Sequence, residues 1–298
     1  MAVGDVKARF VRSDGQELTL GDGTWRIPND GLENWANLPY DVSKVEIPSY
    51  DGALVTSKRV SSVDRSVKAV VASPSDNEQQ RRIAIAFFNP KHTFRCYLTY
   101  MGRTRWCEGE LYGFKASEGN IGESVTVDVT LLCPNPYLQS VDDFGKDIAE
   151  TLPAFGFPFM SPLPVSEGSV PGMVSGFIAG RRVFQKTVDI SNDGDVPSGM
   201  VVTIRCDGDI VNPMVKIGSG TVALKTKLKK DDVVVLNASS RPPRITLNGQ
   251  NAMQLLDRKS TILDMVIGVG ETTLEYGADS GEQFMHVVVR YNKQYLGV

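Results

Sequence analysis

The chain holds two histidines, His92 and His286, and imidazole is the side chain best suited to moving protons near neutral pH. His92 lies beside Pro90 at a helix-to-strand corner, and His286 sits in the strand-like run QFMHVVVRY. Neither belongs to a catalytic motif, for HExxH, GxSxG and GxxxxGK[ST] are all absent. The segment DISNDGDVPSG puts Asp189, Ser191, Asp193 and Gly194 at the offsets of a calcium loop. The twelfth position of such a loop needs a bidentate Glu and is Met200, with strand-like flanks in place of two helices. The run therefore reads as a tight turn made by Asn, Asp and Gly for backbone reasons. Gly268 and Gly270 precede a strand, so no helix N-terminus waits there for a phosphate. Glu108 and Glu110 share one strand face, but in a hairpin rich in Arg they read as salt-bridge partners. The cysteines Cys96, Cys107, Cys133 and Cys206 form no CxxC pair and have no histidine nearby, which is not zinc spacing. Buried, reduced thiols are expected. The expectation is a protein that is not an enzyme, with no catalytic, cofactor-binding or metal residues.

Composition narrows the class further. The 298 residues are 41% hydrophobic and 22% charged, ordinary for a folded chain and long enough for two domains. Net charge is −3, and up to Ser140 there are 16 Lys/Arg against 17 Asp/Glu, so neither half is basic. Specific nucleic-acid binding, which needs clustered cations, is disfavoured. No run of about 18 apolar residues marks a membrane span, and Met1–Phe10 has no apolar signal-peptide core.

The elements that must position these residues are mostly strands. DVKARFVR, SVKAVVA, TFRCYLTY, SVTVDVTLL, MVVTIRCDG, GTVALKTKL, DDVVVLNA, PRITLNG, TTLEYG and QFMHVVVRY are β-branched or aromatic-rich and bounded by turn residues. Short strands in this number point to antiparallel sandwiches or barrels. One helix is expected within residues 73–90, capped by Ser75 or Asp76 and stopped by Pro90, with Ile83, Ala84, Phe87 and Phe88 as its apolar stripe on a sheet face. In FRCYLTYMGRTRWCEGE a two-residue Met101-Gly102 loop sets Tyr97 opposite Trp106, Cys96 opposite Cys107 and Arg95 opposite Glu108. Met-Gly favours a type II turn over the I′ turn of Asn-Gly, and a longer loop is the alternative.

LLCPNPYLQS ends a good strand at Pro134 and Pro136, because proline lacks the N–H a ladder needs. It reads as the exit from a first domain. The domains expected are 1–140, a Pro- and Phe-rich crossover over 141–174, and 175–298. Trp25, Trp35 and the aromatics up to Tyr50, with those of the crossover, are candidates for exposed interface anchors; the bland alternative is that they fill cores.

Four blocks in order carry a resemblance: RRIAIAFFNPKHTFRCYLTYMGRTRWCEGELYGF, VTLLCPNPYLQS, NDGDVPSGMVVTIRCDGDIVNPMVKI and GADSGEQFMHVVVRYNKQYLGV. Together they resemble the distal tail protein (Dit) family of long, non-contractile-tailed bacteriophages. The resemblance implies a mainly β fold. An N-terminal β-sandwich-like ring domain with one amphipathic helix would be followed by a C-terminal galectin-like antiparallel β-sandwich. It implies a structural virion protein at the tail tip, made in the host cytoplasm. Six copies would close into a hexameric ring joining the tail tube protein to the tail-tip hub or baseplate, with a DNA-exit channel and an attachment point for host-recognition components. Tape measure and receptor-binding proteins are further candidate partners. The alternative is a carbohydrate-binding adhesin module acting in host attachment. Asp30–Tyr50 departs from the family pattern and is read as a candidate arm or β-extension toward a neighbour.

Overall fold

The computed structural model describes residues 6–48, 51–72, 77–117, 124–142, 144–147, 151–153, 180–182, 187–240 and 242–298. The chain divides into two compact units. The first comprises Met1–Asp143, Gly194–Val196 and Asn292–Val298; the second comprises Phe144–Asp193 and Pro197–Tyr291.

In the first unit the strands are β1 Lys7–Arg12, β2 Glu17–Leu20, β3 Trp25–Arg26, β4 Leu32–Glu33, β5 Tyr40–Glu46, β6 Ala53–Val60 and β7 Val63–Val71. Helix α1, Asn77–Phe87, leads into β8 Thr93–Tyr100, β9 Arg103–Ala116, β10 Thr126–Cys133 and β11 Leu138–Ser140. Among the described residues one antiparallel, barrel-like sheet runs in the order β2-β1-β8-β9-β10-β7-β3. β4 adds to β7, and β11 pairs with β9 and with the terminal Gln294–Tyr295 strand. Alternate residues of β7 and β10 point inward, as their period of two requires, so Val67, Ala69, Val71, Val127, Val129 and Leu131 share one core. Trp25 and Trp35 also lie in that core and are not exposed anchors. Trp35 keeps its indole N–H satisfied by donating to the Ser66 carbonyl at 3.0 Å. Tyr50 and the aromatics of residues 154–179 lie outside the described residues.

Helix α1 presses Ala84 and Phe87 onto the sheet, and Phe88 follows just past its end. Phe88 meets Phe10 edge-on at 5.2 Å and stacks on Phe114 at 5.3 Å. The stripe is therefore Ala84, Phe87 and Phe88; Ile83, expected inside it, is 40% exposed. Ile83, four residues before Phe87, lies on that residue's side of the helix, but at 100° per residue it sits about 90° from the centre of the stripe and so at its exposed rim. The expected caps Ser75 and Asp76 lie outside the described residues.

The β8–β9 hairpin has the expected register: Tyr97 faces Trp106, Cys96 faces Cys107, and Arg95 faces Glu108 with an ion pair at 3.3 Å. Its turn differs from the expectation. Met101 and Gly102 have φ of 49° and 77°, both left-handed, the signature of a I′ loop and not of type II. The right-handed twist of the strands selects that turn over the local preference of methionine. Met101 is 75% exposed, so its side chain supplies no packing in return. Met101→Asn is expected to stabilise the first unit by up to about 1 kcal/mol, read as a higher urea midpoint; a lower midpoint contradicts a strained turn.

The second unit is an antiparallel β-sandwich. One sheet orders Phe144–Asp147, Met285–Tyr291, Ser198–Cys206, Val233–Asn237, Arg244–Leu247 and Gln250–Asn251, with Val266–Ile267 on the Ser198–Cys206 strand. The other orders Thr187–Asn192, Gly270–Gly277, Met214–Ile217 and Gly220–Ala223. Both send aliphatics into one core, including Val202, Ile204, Val287 and Val289 from the first and Ile190, Val215, Val222 and Leu274 from the second. Gly281 shows how tightly the corners close. Its φ is 81° and a Cβ there would meet the Asp209 carbonyl oxygen, so Gly281→Ala is expected to cost this unit about 2 kcal/mol or more, visible as a lower melting temperature. An unchanged melting temperature would contradict that contact.

Candidate assembly surface and the turn after strand ten

No sequence-predicted catalytic residue exists to be located, and the residues considered for chemistry occupy structural places. His92 shares a 3.1 Å hydrogen bond with the Ser13 hydroxyl at the helix-to-strand corner. His286 lies half-buried on a sandwich strand. Glu108 pairs with Arg95, and Asp189 accepts the Thr273 hydroxyl at 2.7 Å. All four cysteines are buried free thiols.

Residues after β10 show why the strand stops. Pro134 and Pro136 end the ladder, and the Asn135 side chain accepts the Tyr137 N–H at 3.2 Å. The Pro136 carbonyl accepts Arg65 Nη2 at 2.7 Å. Arg65 occupies an inward position of β7, is 1% exposed, and lies over the Trp35 ring at 5.6 Å. Its Nε and Nη1 hydrogens have no hydrogen-bond acceptor. A buried cation is costly unless it is compensated. The Pro136 carbonyl and the Trp35 ring face meet it directly, and its charge favours the ionised form of the nearby Cys133 thiol. A hydrogen bond from the Cys107 thiol, followed by the charge of Arg65, pulls the Cys133 thiol down to about 7. The same hydrogen bond and burial push Cys107 up. The arrangement is a lock between β7, β9, β10 and the turn.

Exposed large apolar side chains gather on the β5–β6 hairpin, which forms a two-stranded sheet of its own among the described residues. Register runs from Tyr40 opposite Val60 to Glu46 opposite Ala53, with a bulge after Ser43 filled by the Thr56 hydroxyl donating to the Ser43 carbonyl at 3.2 Å. Asp41 and Arg59 form an ion pair at 2.7 Å near the base. Almost every side chain of both strands is exposed, including Tyr40 at 68%, Val45 at 53% and Leu54 at 58%. Val45 and Leu54 face each other on one face; Tyr40, Val42 and Val55 lie on the other. Seven residues of extended chain reach roughly 20 Å. An isolated two-stranded ribbon is marginal in water, and its outer edges present unpaired backbone groups. Of the segment Asp30–Tyr50, read as a candidate arm or β-extension, only Tyr40–Glu46 joins this hairpin, while Leu32–Glu33 pairs with β7 and Trp35 enters the core. The second strand, residues 53–60, gave no separate signal in the sequence. Among the described residues no group of His, Cys, Asp and Glu could hold a metal, and no helix is long and apolar enough to cross a membrane.

Comparison with known proteins adds a family match over the second unit and a fold likeness over the whole chain. Residues 193–295 match the model of the siphovirus-type tail component, C-terminal domain. No curated protein matches the chain in sequence. Among solved structures, the Dit protein of phage SPP1, described as a paradigm of the hub adsorption apparatus in phages infecting Gram-positive hosts, aligns with a TM-score of 0.65 at 10% identity. That alignment covers 96% of this chain and 98% of that one. A chain of the phage P2 baseplate in its activated conformation with calcium aligns at 0.52 and 10% identity, over 98% and 99% of the two chains. Its strontium counterpart aligns at 0.54 and 11%, over 99% and 100%. At such identity these structures speak to the fold, and the family model speaks to the second unit. Residues 193–295 thus match the C-terminal domain of the siphovirus-type tail component family, and the chain as a whole shares the fold of the SPP1 Dit protein.

Proposed function

We propose that this chain is the ring-forming distal tail component of a long, non-contractile phage tail. Six copies close head-to-tail around a central DNA-exit channel, and the ring joins the tail tube protein to the tail-tip hub or baseplate while anchoring host-recognition components. Residues 1–140 form the ring, 141–174 cross over, and 175–298 project as the outer sandwich. The protein is made in the host cytoplasm and works, without catalysis, at the tip of the virion tail. A head-to-tail contact closes into a ring when its rotation divides the circle.

The observation that carries this reading is the β5–β6 hairpin. A ribbon with apolar residues on both faces and two open edges gains its stability by lying against a neighbour. Light scattering on the purified chain at micromolar concentration tests it: a multimer several times 32.5 kDa is expected, and a monomer at all concentrations overturns it. A glycan array probed with the full chain separates the adhesin alternative, which predicts saturable sugar binding where the ring reading requires none.

A further inference from the structure

A groove of about 570 Å³ opens on the first unit where β1, β8 and β9 meet the segment after β11. Lys7, Arg9, Arg103 and Arg105 line it with Tyr97, and Asp142 is its one carboxylate. Four cations together are unusual in a chain of net charge −3. Sheet register puts Lys7 and Arg9 on one face, while Arg103 and Arg105 flank Thr104 on β9 and leave from the opposite face by alternation. The groove therefore gathers its cations from both sides of that strand. Lys7 stands beside Thr99, which faces Thr104, and Arg9 stands beside Tyr97, which faces Trp106. Two guanidinium groups are held by stacking: Arg9 lies 4.3 Å over the Tyr97 ring and Arg105 lies 3.5 Å over the Tyr295 ring. Stacking leaves the edge N–H groups of a guanidinium free to form forked hydrogen bonds. The wall is fixed by Trp106, whose indole N–H donates to the Ser140 carbonyl at 2.7 Å. Glu17 partly neutralises Arg9 at 3.1 Å, whereas no ion pair involves Lys7, Arg103 or Arg105 among the described residues.

We propose that this groove docks an extended, carboxylate-rich segment of a partner protein. Charge complementarity sets the sign of the occupant, and the length of the patch sets its kind. One row along the sheet, Val11 is flanked by Glu17 and by Arg95, which is already paired with Glu108. The positive surface therefore ends after two rows, and Asp142 stands at its rim. A continuous phosphodiester strand needs a longer cationic track to gain from counterion release. A few carboxylates do not, and arginine forks with neighbouring Tyr and Trp are the residue types that dominate protein interfaces. The inference stands on the groove alone and leaves the assembly reading intact if it fails.

Calorimetric titration of the full chain with acetylated hexaglutamate in 50 mM salt tests it, with hexathymidylate as the comparison. Hexaglutamate is expected to bind, to lose at least tenfold in affinity in the Lys7→Glu/Arg103→Glu double variant, and to bind at least tenfold more tightly than hexathymidylate. Both substituted residues are solvent-exposed, so the fold should survive; Lys7→Gln/Arg103→Gln, expected to weaken binding in the same direction, replaces the double variant if it does not. Absent hexaglutamate binding, unchanged affinity in the variants, or equal or tighter binding of the oligonucleotide would each overturn the proposal.

Discussion

Replacing Arg65 by alanine is expected to cost the first unit about 3 kcal/mol of stability. The substitution empties a site that is 1% exposed, uncovers the Trp35 ring and strands the Pro136 carbonyl. It also removes the charge that helps hold the Cys133 thiol at about 7. The sign of the pH dependence follows. A thiol whose folded pKa lies below its ordinary value of 9.0 contributes stability that is fully present above that value and is lost as pH falls through about 7. Wild-type stability from this source should therefore decline from pH 9 to pH 7, and the decline should flatten in Arg65→Ala. Arg65→Met separates packing from charge, since it restores most of the volume without the cation. It is expected to recover much of the lost stability, while thiolate absorbance at 240 nm moves to higher pH. Urea unfolding followed by tryptophan fluorescence supplies the stabilities. A loss below about 1 kcal/mol in Arg65→Ala would contradict the lock.

The second large effect is expected in the hairpin. Val45 and Leu54 face each other and are 53% and 58% exposed, so changing both to glutamate leaves the fold of the single chain almost untouched. In an assembly each buried aliphatic contributes about 1.5–3 kcal/mol, and a carboxylate placed in that contact is penalised further. A total of about 4 kcal/mol or more per interface weakens association by about a thousandfold. Val45→Glu/Leu54→Glu should therefore sediment as a monomer under conditions where the parent chain is multimeric, with an unchanged far-UV circular dichroism spectrum and a lower melting temperature, since the stabilisation by association is gone. Retention of the multimer would remove the hairpin from the interface.

These expectations draw unequally on the sequence. The β8–β9 register was readable because the aromatic, cysteine and Arg–Glu pairs all agree on one alignment. The turn type was not, since strand twist outweighs what Met101 prefers locally. The sandwich strands were legible from β-branched runs between turn residues, because one buried face imposes a period of two. The β5–β6 hairpin lacks that period for a physical reason: neither face is buried within the chain, so apolar residues occur on both. Trp25 and Trp35 were open in the sequence between interface anchors and core residues, and the sheet closes over both. Arg65 was hidden because an inward arginine breaks the alternation of β7, and only the folded turn at Pro136 gives it a partner. The basic groove was equally invisible, since residues 7–9, 97–105 and 141–142 meet only through the sheet order β1-β8-β9.

Negative-stain electron microscopy of the purified full-length chain tests the assembly most directly. Class averages should contain closed, sixfold particles with a central hole, each copy extending an arm onto the next. Fields of separate single-chain particles, at concentrations where the hairpin should be covered, would contradict it.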